Sequence, residues 1–138
     1  MATFNKFNCF VEDLAEKKHN LGSDQLVVAL TASANAPVAT NTVLANLTQI
    51  SYTNCSSRNI TTSTSSQTSG TYRLILADLV LTASGGSIAA FRYVVIYNDT
   101  ATNDELIGWY DYGSDQTVAS GETFTIDFDG TNGLLSLA

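Results

Sequence analysis

The stretch Ala90–Asn98, AFRYVVIYN, carries the strongest strand signal in the chain and decides the fold class. Aromatic and β-branched residues dominate it, and both kinds of side chain favour strands. Because successive side chains of a strand point to opposite faces, every second residue should share one face. The residues on that predicted face are Phe91, Tyr93, Val95 and Tyr97. A strand this apolar needs partner strands and a core on at least one side.

Shorter runs of the same kind lie on both sides of this strand, separated by turn residues. The predicted strands are Gln25–Thr31, Thr48–Thr53, Arg58–Thr62, Thr71–Thr82 with a break at Ala77-Asp78, Leu106–Tyr112, Thr117–Ala119, Thr123–Phe128 and Leu134–Leu137. Ser63–Gly70 is either a loop or a two-sided polar strand. Eight or nine short strands without crossover helices predict an all-β fold, either a β-sandwich or a jelly roll.

One short helix is predicted near the start of the chain. Asn8 is the expected N-cap, and Gly22 is the expected stop. Apolar residues recur at helical spacing through this region, namely Phe7, Phe10, Val11, Leu14 and Leu21. The single domain, residues 1–138, is therefore divided into an N-terminal helical segment, 1–22, and a β-sandwich, 23–138.

Composition and charge exclude several classes of protein. The chain has 138 residues, which is the length of one domain, and its net charge of −7 argues against nucleic-acid binding. No apolar run approaches the roughly 18 residues of a membrane helix, and the N-terminus lacks a secretion signal. Synthesis in a reducing cytosol is expected, with no membrane partner. Cys9 and Cys55 are expected to be separate reduced thiols.

The sequence predicts no catalytic, cofactor or metal site. His19 is the only histidine, and no G-x-S-x-G nucleophile elbow or phosphate-binding glycine loop accompanies it. The segment Asp127–Gly133 begins like a calcium loop but lacks the glutamate that would complete it, so a hairpin turn is the preferred interpretation. The acidic stretch Asp99–Glu105 is likewise expected to be a loop. We therefore expect no enzymatic activity.

Two apolar groups are candidate interface residues. The first is aromatic and lies on two adjacent predicted strands: Tyr93, Tyr97, Trp109, Tyr110 and Tyr112. Core packing explains most of it, a protein–protein contact is the alternative, and carbohydrate stacking is a third reading. The second group is Phe4, Phe7, Phe10, Val11 and Leu14. Such a dense apolar terminus needs a buried partner, either its own sandwich or a neighbouring subunit, and assembly is preferred.

Several segments together resemble small virion proteins of tailed bacteriophages. They are Phe4–Phe7, Phe10–Leu21, Asp24–Thr31, Ala36-Pro37, Ile50–Thr53, Ser57-Arg58 and Ile107–Tyr112. The resemblance covers most of the chain and consists of structural residues. It implies a capsid cement or decoration protein on the virion surface that binds the major capsid protein and forms a homo-oligomer, a dimer or a trimer. A tail- or fibre-associated role, with binding of host carbohydrate, is the alternative.

Overall fold

The computed structural model describes residues 2–138, in which antiparallel strands predominate. The predicted all-β class with one short N-terminal helix is confirmed. The helix, α1, spans Cys9–Ala15. The nine strands are β1 Thr3–Lys6, β2 Leu26–Thr31, β3 Thr62–Thr68, β4 Thr71–Leu76, β5 Leu79–Thr82, β6 Ile88–Asn98, β7 Leu106–Val118, β8 Thr123–Ile126 and β9 Leu135–Leu137. Two single-turn 3₁₀ helices, Ser33–Asn35 and Leu44–Asn46, interrupt the long segment between β2 and β3.

The strands form two layers around a shared core. One layer is a four-stranded sheet with the order β1-β7-β6-β2, and the other contains the sheets β3-β4-β9 and β5-β8. Buried side chains of both layers meet in one cluster, with Leu30 and Ile107 from the first layer and Leu76, Leu81 and Ile126 from the second. This arrangement is a β-sandwich.

The central strand β6 is buried on both of its faces. Phe91, Val94 and Ile96 belong to the core between the layers, whereas Val95 and Tyr97 belong to a second cluster on the opposite face. The prediction that Phe91 shares a face with Val95 and Tyr97 is therefore wrong. The pairing of β6 with β7 shifts register between Phe91 and Tyr93, and this irregularity changes the phase of the alternation.

The helix is shorter than the sequence predicts. It ends at Ala15, because Lys17 adopts a left-handed backbone conformation with φ of +69°. The amide of Lys18 donates to the carbonyl of Asp13 and the amide of Lys17 donates to Leu14, which is the Schellman pattern of a helix end. Asn8 does occupy the N-cap position, but its side chain makes no capping hydrogen bond.

The residues before the helix form a strand that the sequence analysis missed. β1 pairs with β7 and opposes Phe4 to Tyr110 and Lys6 to Gly108. A Cβ atom at Gly108 would lie 2.6 Å from the backbone oxygen of Asn5, so this close approach requires glycine. The N-terminal segment is therefore an integral part of the first sheet.

The predicted strand Thr48–Thr53 does not form. This segment instead lies along the outer edge of β2, where the Tyr52 hydroxyl accepts a hydrogen bond from the amide of Leu30 at 2.9 Å. The Arg58 guanidinium donates to the carbonyl of Val28 at 2.6 Å and stacks over the ring of Tyr52. Backbone groups of the same segment reach this edge too, since the amide of Ile50 donates to the carbonyl of Leu30 and the amide of Val28 donates to the carbonyl of Arg58. Side-chain and backbone groups together therefore satisfy the outer edge of β2 without forming a regular strand.

The other strand boundaries agree better with the sequence. Ser63–Gly70 is largely the polar strand β3, which was one of its two predicted alternatives. The expected break at Ala77-Asp78 separates β4 from β5. The two predicted strands between Leu106 and Ala119 are a single strand, β7, which passes through Gly113 at a φ of +82°.

Candidate interaction surface

Most of the predicted interface residues lie inside the folded chain. Phe7, Phe10, Tyr93, Tyr97 and Tyr110 are buried. The others are half-buried, except for one exposed side chain; they are Phe4, Leu14, Trp109, Tyr112 and the exposed Val11. The five buried side chains pack in the core of the folded chain, which was the other interpretation that the sequence offered for both groups.

The reason for this burial is the pairing of β1 with β7. The strand brings Phe4 against Tyr110, with ring centroids 5.2 Å apart, and Phe7 against Trp109, with centroids 4.6 Å apart. The apolar N-terminus therefore finds its buried partner within its own sandwich. Trp109 packs against the fully buried Phe7 and is only partly accessible, which is unlike the exposed tryptophan that a carbohydrate-stacking site would present.

A groove of about 1050 Å³ opens at one end of the sandwich. We call it the end groove, and it lies between the turn after α1, the loop joining β6 to β7, and the inner face of β3, β4 and β9. Its apolar lining includes Leu14, Leu21, Tyr72 and Leu137, and Leu137 is 44% exposed. No local sequence pattern predicts this groove, because its walls come from four distant segments.

A hydrogen-bonded network built on Asn98 forms one wall of the end groove. The Asn98 Nδ2 atom donates to Asp24 Oδ2 at 2.7 Å and lies 3.0 Å from His19 Nδ1. Asn98 Oδ1 accepts from the amides of Thr100 and Ala101. Because the amide nitrogen is a donor, His19 Nδ1 accepts and the ring proton belongs on Nε2. Nε2 is buried and has no hydrogen-bond partner among residues 2–138.

This network fastens chain segments together. Burial lowers the pKa of His19, although the nearby carboxylates of Asp13, Glu105 and Asp24 act in the opposite direction. The side chain of Asp13 is itself buried and pairs with Lys18 at 3.1 Å. His19 and Asp24 both contact Asn98, so the network holds the turn after α1 against the start of the β6–β7 loop.

The acidic loops use their carboxylates internally. Asp129 Oδ1 accepts hydrogen bonds from the amides of Thr131 and Asn132, and these bonds lower the pKa of that carboxyl group. Within residues 2–138 no three His, Cys, Asp or Glu side chains are placed to hold a metal ion. Cys9 and Cys55 are free thiols, and burial, followed by the effect of Asp13, raises the pKa of Cys9 to about 11.

Charge is distributed very unevenly along the chain. The run Gln25–Ala77 contains no aspartate or glutamate, and its only charged residues are Arg58 and Arg73. All 13 acidic residues therefore lie outside this run. Since Arg58 is engaged with β2, the exposed surface of the run is close to neutral on an otherwise acidic protein. Counting carboxylates along the sequence would have revealed this surface.

The strand β3 lies within this acid-free run and has an open outer edge. It pairs with β4 on one side, and within residues 2–138 no backbone hydrogen bond involves its other edge. Its sequence, TSTSSQT, has no charged residue and no proline. Natural edge strands usually carry such residues as protection against pairing with another chain.

No protein-family model, curated protein or solved structure matches the chain. No helix among residues 2–138 is long and apolar enough to cross a membrane.

Proposed function

We propose that this chain is a non-enzymatic structural protein of a tailed-phage virion, a cement or decoration protein that binds and stabilises the major capsid lattice. The acid-free surface of Gln25–Ala77 is the observation that carries the proposal. Charged residues are depleted in the cores of protein–protein interfaces, because each charge must lose its water on binding. The acidic remainder of the chain would then face the medium.

Three of the segments that carry the resemblance to phage virion proteins lie in one sheet. The segments at the N-terminus, at Asp24–Thr31 and at Ile107–Tyr112 contribute to β1, β2 and β7 of one sheet. These residues therefore build a common framework, and the acid-free loops and β3 lie outside most of that framework. A clamp on a capsid needs this combination of a rigid scaffold and an exposed neutral surface.

Two exposed valines provide a matched test of this proposal. Val38 is 52% exposed within the acid-free run, and Val80 is 47% exposed on β5, outside the run. The variants Val38→Glu and Val80→Glu introduce the same charge at similar exposure. We expect Val38→Glu to reduce cosedimentation with capsids that lack the protein at least tenfold, and Val80→Glu to bind as the native chain does.

Capsid stability provides a second readout. Native protein should raise the temperature at which the capsids disrupt, since bridging neighbouring subunits adds buried interface to the shell. Failure of the native chain to bind capsids would contradict the proposal. Equal binding by both valine variants would contradict the assignment of the contact surface.

A tail- or fibre-associated role with carbohydrate binding is the second candidate, and the end groove favours it. Tyr72 offers an aromatic ring there, and Asn20 and Asn103 supply polar groups beside it. Titration with host surface glycans, followed by chemical-shift changes at Tyr72, would test this function. Saturable binding that is lost in Tyr72→Ala, in a variant that remains folded, would support it over capsid cementing.

A further inference from the structure

We infer that β3 is a self-association edge, at which two copies of this chain join their sheets by antiparallel pairing about a twofold axis centred on Ser66. The pairing would extend β3-β4-β9 into a continuous six-stranded sheet across the dimer. The inference is independent of capsid binding and concerns only how two copies of the chain meet.

The contrast between β2 and β3 is the first support. The outer edge of β2 is covered by the segment around Tyr52 and Arg58, whose side-chain and backbone groups bind the backbone of β2. The outer edge of β3 is left uncovered, although β3 is the longer strand, with seven residues against six. A strand edge presents a row of unpaired donors and acceptors that another strand can match.

The charge distribution identifies a second copy of the chain as the partner that pairs with the open edge of β3. Two molecules of net charge −7 repel each other, and a self-contact is cheapest where carboxylates are absent. β3 lies within the acid-free run, and its pairing partner β4 carries one charge, Arg73, opposite Ser66. In the dimer the two copies of Arg73 would be three strand spacings apart, about 14 Å, which exceeds the Debye length of about 8 Å at physiological salt.

The register follows from the pairing within the chain. β3 and β4 pair regularly from Thr64 to Thr68, whereas the register shifts between Thr62 and Thr64. The centre of the regular section is Ser66. A twofold axis there places Thr64 opposite Thr68 of the second copy, and it lines three hydroxyl-bearing residues along one face. The Thr64–Thr68 pair then occurs twice, once at each end of the contact, and cross-strand Thr–Thr pairs are favourable in antiparallel sheets.

Two double variants test both the pairing and its register. Thr64 and Thr68 are exposed, and their partners Ile75 and Thr71 on β4 are uncharged. Thr64→Lys with Thr68→Lys places like charges opposite each other at both ends of the proposed contact. Thr64→Lys with Thr68→Glu places opposite charges there, with the same number of substitutions. The two residues are about 13 Å apart along one strand, so the charges interact chiefly across the dimer.

Sedimentation velocity at protein concentrations from roughly 10 to 500 µM measures the monomer–dimer equilibrium of each variant. This range is on the order of the Kd expected for a small interface. We expect reversible dimers of the native chain with a Kd that does not rise between about 0.05 and 0.5 M salt, because the contact itself is uncharged and salt only screens the repulsion between the two acidic molecules. The Lys–Lys variant should raise the Kd at least tenfold, and the Lys–Glu variant should dimerise at least as well as the native chain.

Three outcomes would overturn the inference. They are a native chain that stays monomeric throughout this range, dimers that persist in the Lys–Lys variant, and equal weakening in both variants. If the native chain is monomeric but the Lys–Lys variant alone loses capsid binding, the edge accepts a strand from the capsid protein instead. Because dimerisation is measured without capsids, its failure is distinguishable from failure of the proposed function.

Discussion

Replacing Phe7 by alanine should destabilise the folded chain severely, because the N-terminal segment belongs to the core. Phe7 is fully buried and packs against Trp109 in the cluster on the outer face of the four-stranded sheet. Truncation of such a phenylalanine removes the transfer free energy of the ring and leaves a cavity. The two effects together cost about 3–5 kcal/mol. That is a large part of the 5–15 kcal/mol by which a domain is typically stable.

Trp109 makes the assay simple, because it is the only tryptophan in the chain. Urea unfolding followed by its fluorescence, and independently by circular dichroism, gives the free energy of unfolding of each variant. Val11→Ala is the matched control, since Val11 lies in the same segment but is 54% exposed. Its expected effect is within about 0.5 kcal/mol of zero. A loss below about 1 kcal/mol for Phe7→Ala would refute the assignment of this segment to the core.

Three further predictions concern the groove network, the β1–β7 contact and the acidic loops. Burial lowers the pKa of His19, so on acidification the unfolded chain binds a proton at this residue more readily than the folded chain does. The free energy of unfolding should therefore fall as the pH drops below about 6.5, by at most about 1.4 kcal/mol per pH unit. His19→Gln should reduce this pH dependence, measured as the difference in unfolding free energy between urea titrations at pH 7.5 and 5.5. An unchanged difference would show that groups other than His19 cause the pH dependence. Gly108→Ala should lower the thermal midpoint of unfolding strongly, because the added Cβ would meet the backbone of Asn5. The control Gly130→Ala should have little effect, because the space around Gly130 is open. Equal thermal midpoints for the two variants would refute the close approach of β1 to Gly108. EDTA should leave the thermal midpoint unchanged, and a drop that calcium reverses would show that the acidic loops bind metal.

The strands that the sequence predicts best are those whose own residues are apolar enough to require burial. β2 and β6 are apolar runs, and any fold must place them in a core. β1 has only four residues, TFNK, and it exists because β7 offers it an edge. The early end of α1 depends on a left-handed Lys17, a conformation that no local residue preference demands. Thr48–Thr53 has the alternation of a strand, but it reaches β2 through one backbone hydrogen bond, from Ile50, and through the Tyr52 hydroxyl, so no regular ladder forms.

The candidate surfaces differ in how far the sequence could have predicted them. His19 and Asn98 are separated by 79 positions, so their contact has no local signature. The apolar N-terminus looked equally suited to a core or a subunit contact, because periodicity shows that a face is buried without showing what buries it. The acid-free run is visible in the sequence itself. Only the fold, however, shows that β3 within that run has an open edge.

A cryo-electron microscopy reconstruction of intact virions tests the central claim most directly. The account predicts symmetric copies of this nine-stranded domain on the outer face of the capsid shell, with the acid-free surface of Gln25–Ala77 against the major capsid protein and the acidic surface outward. Density for the domain confined to the tail or fibres, or no density for it anywhere in the particle, would contradict the account.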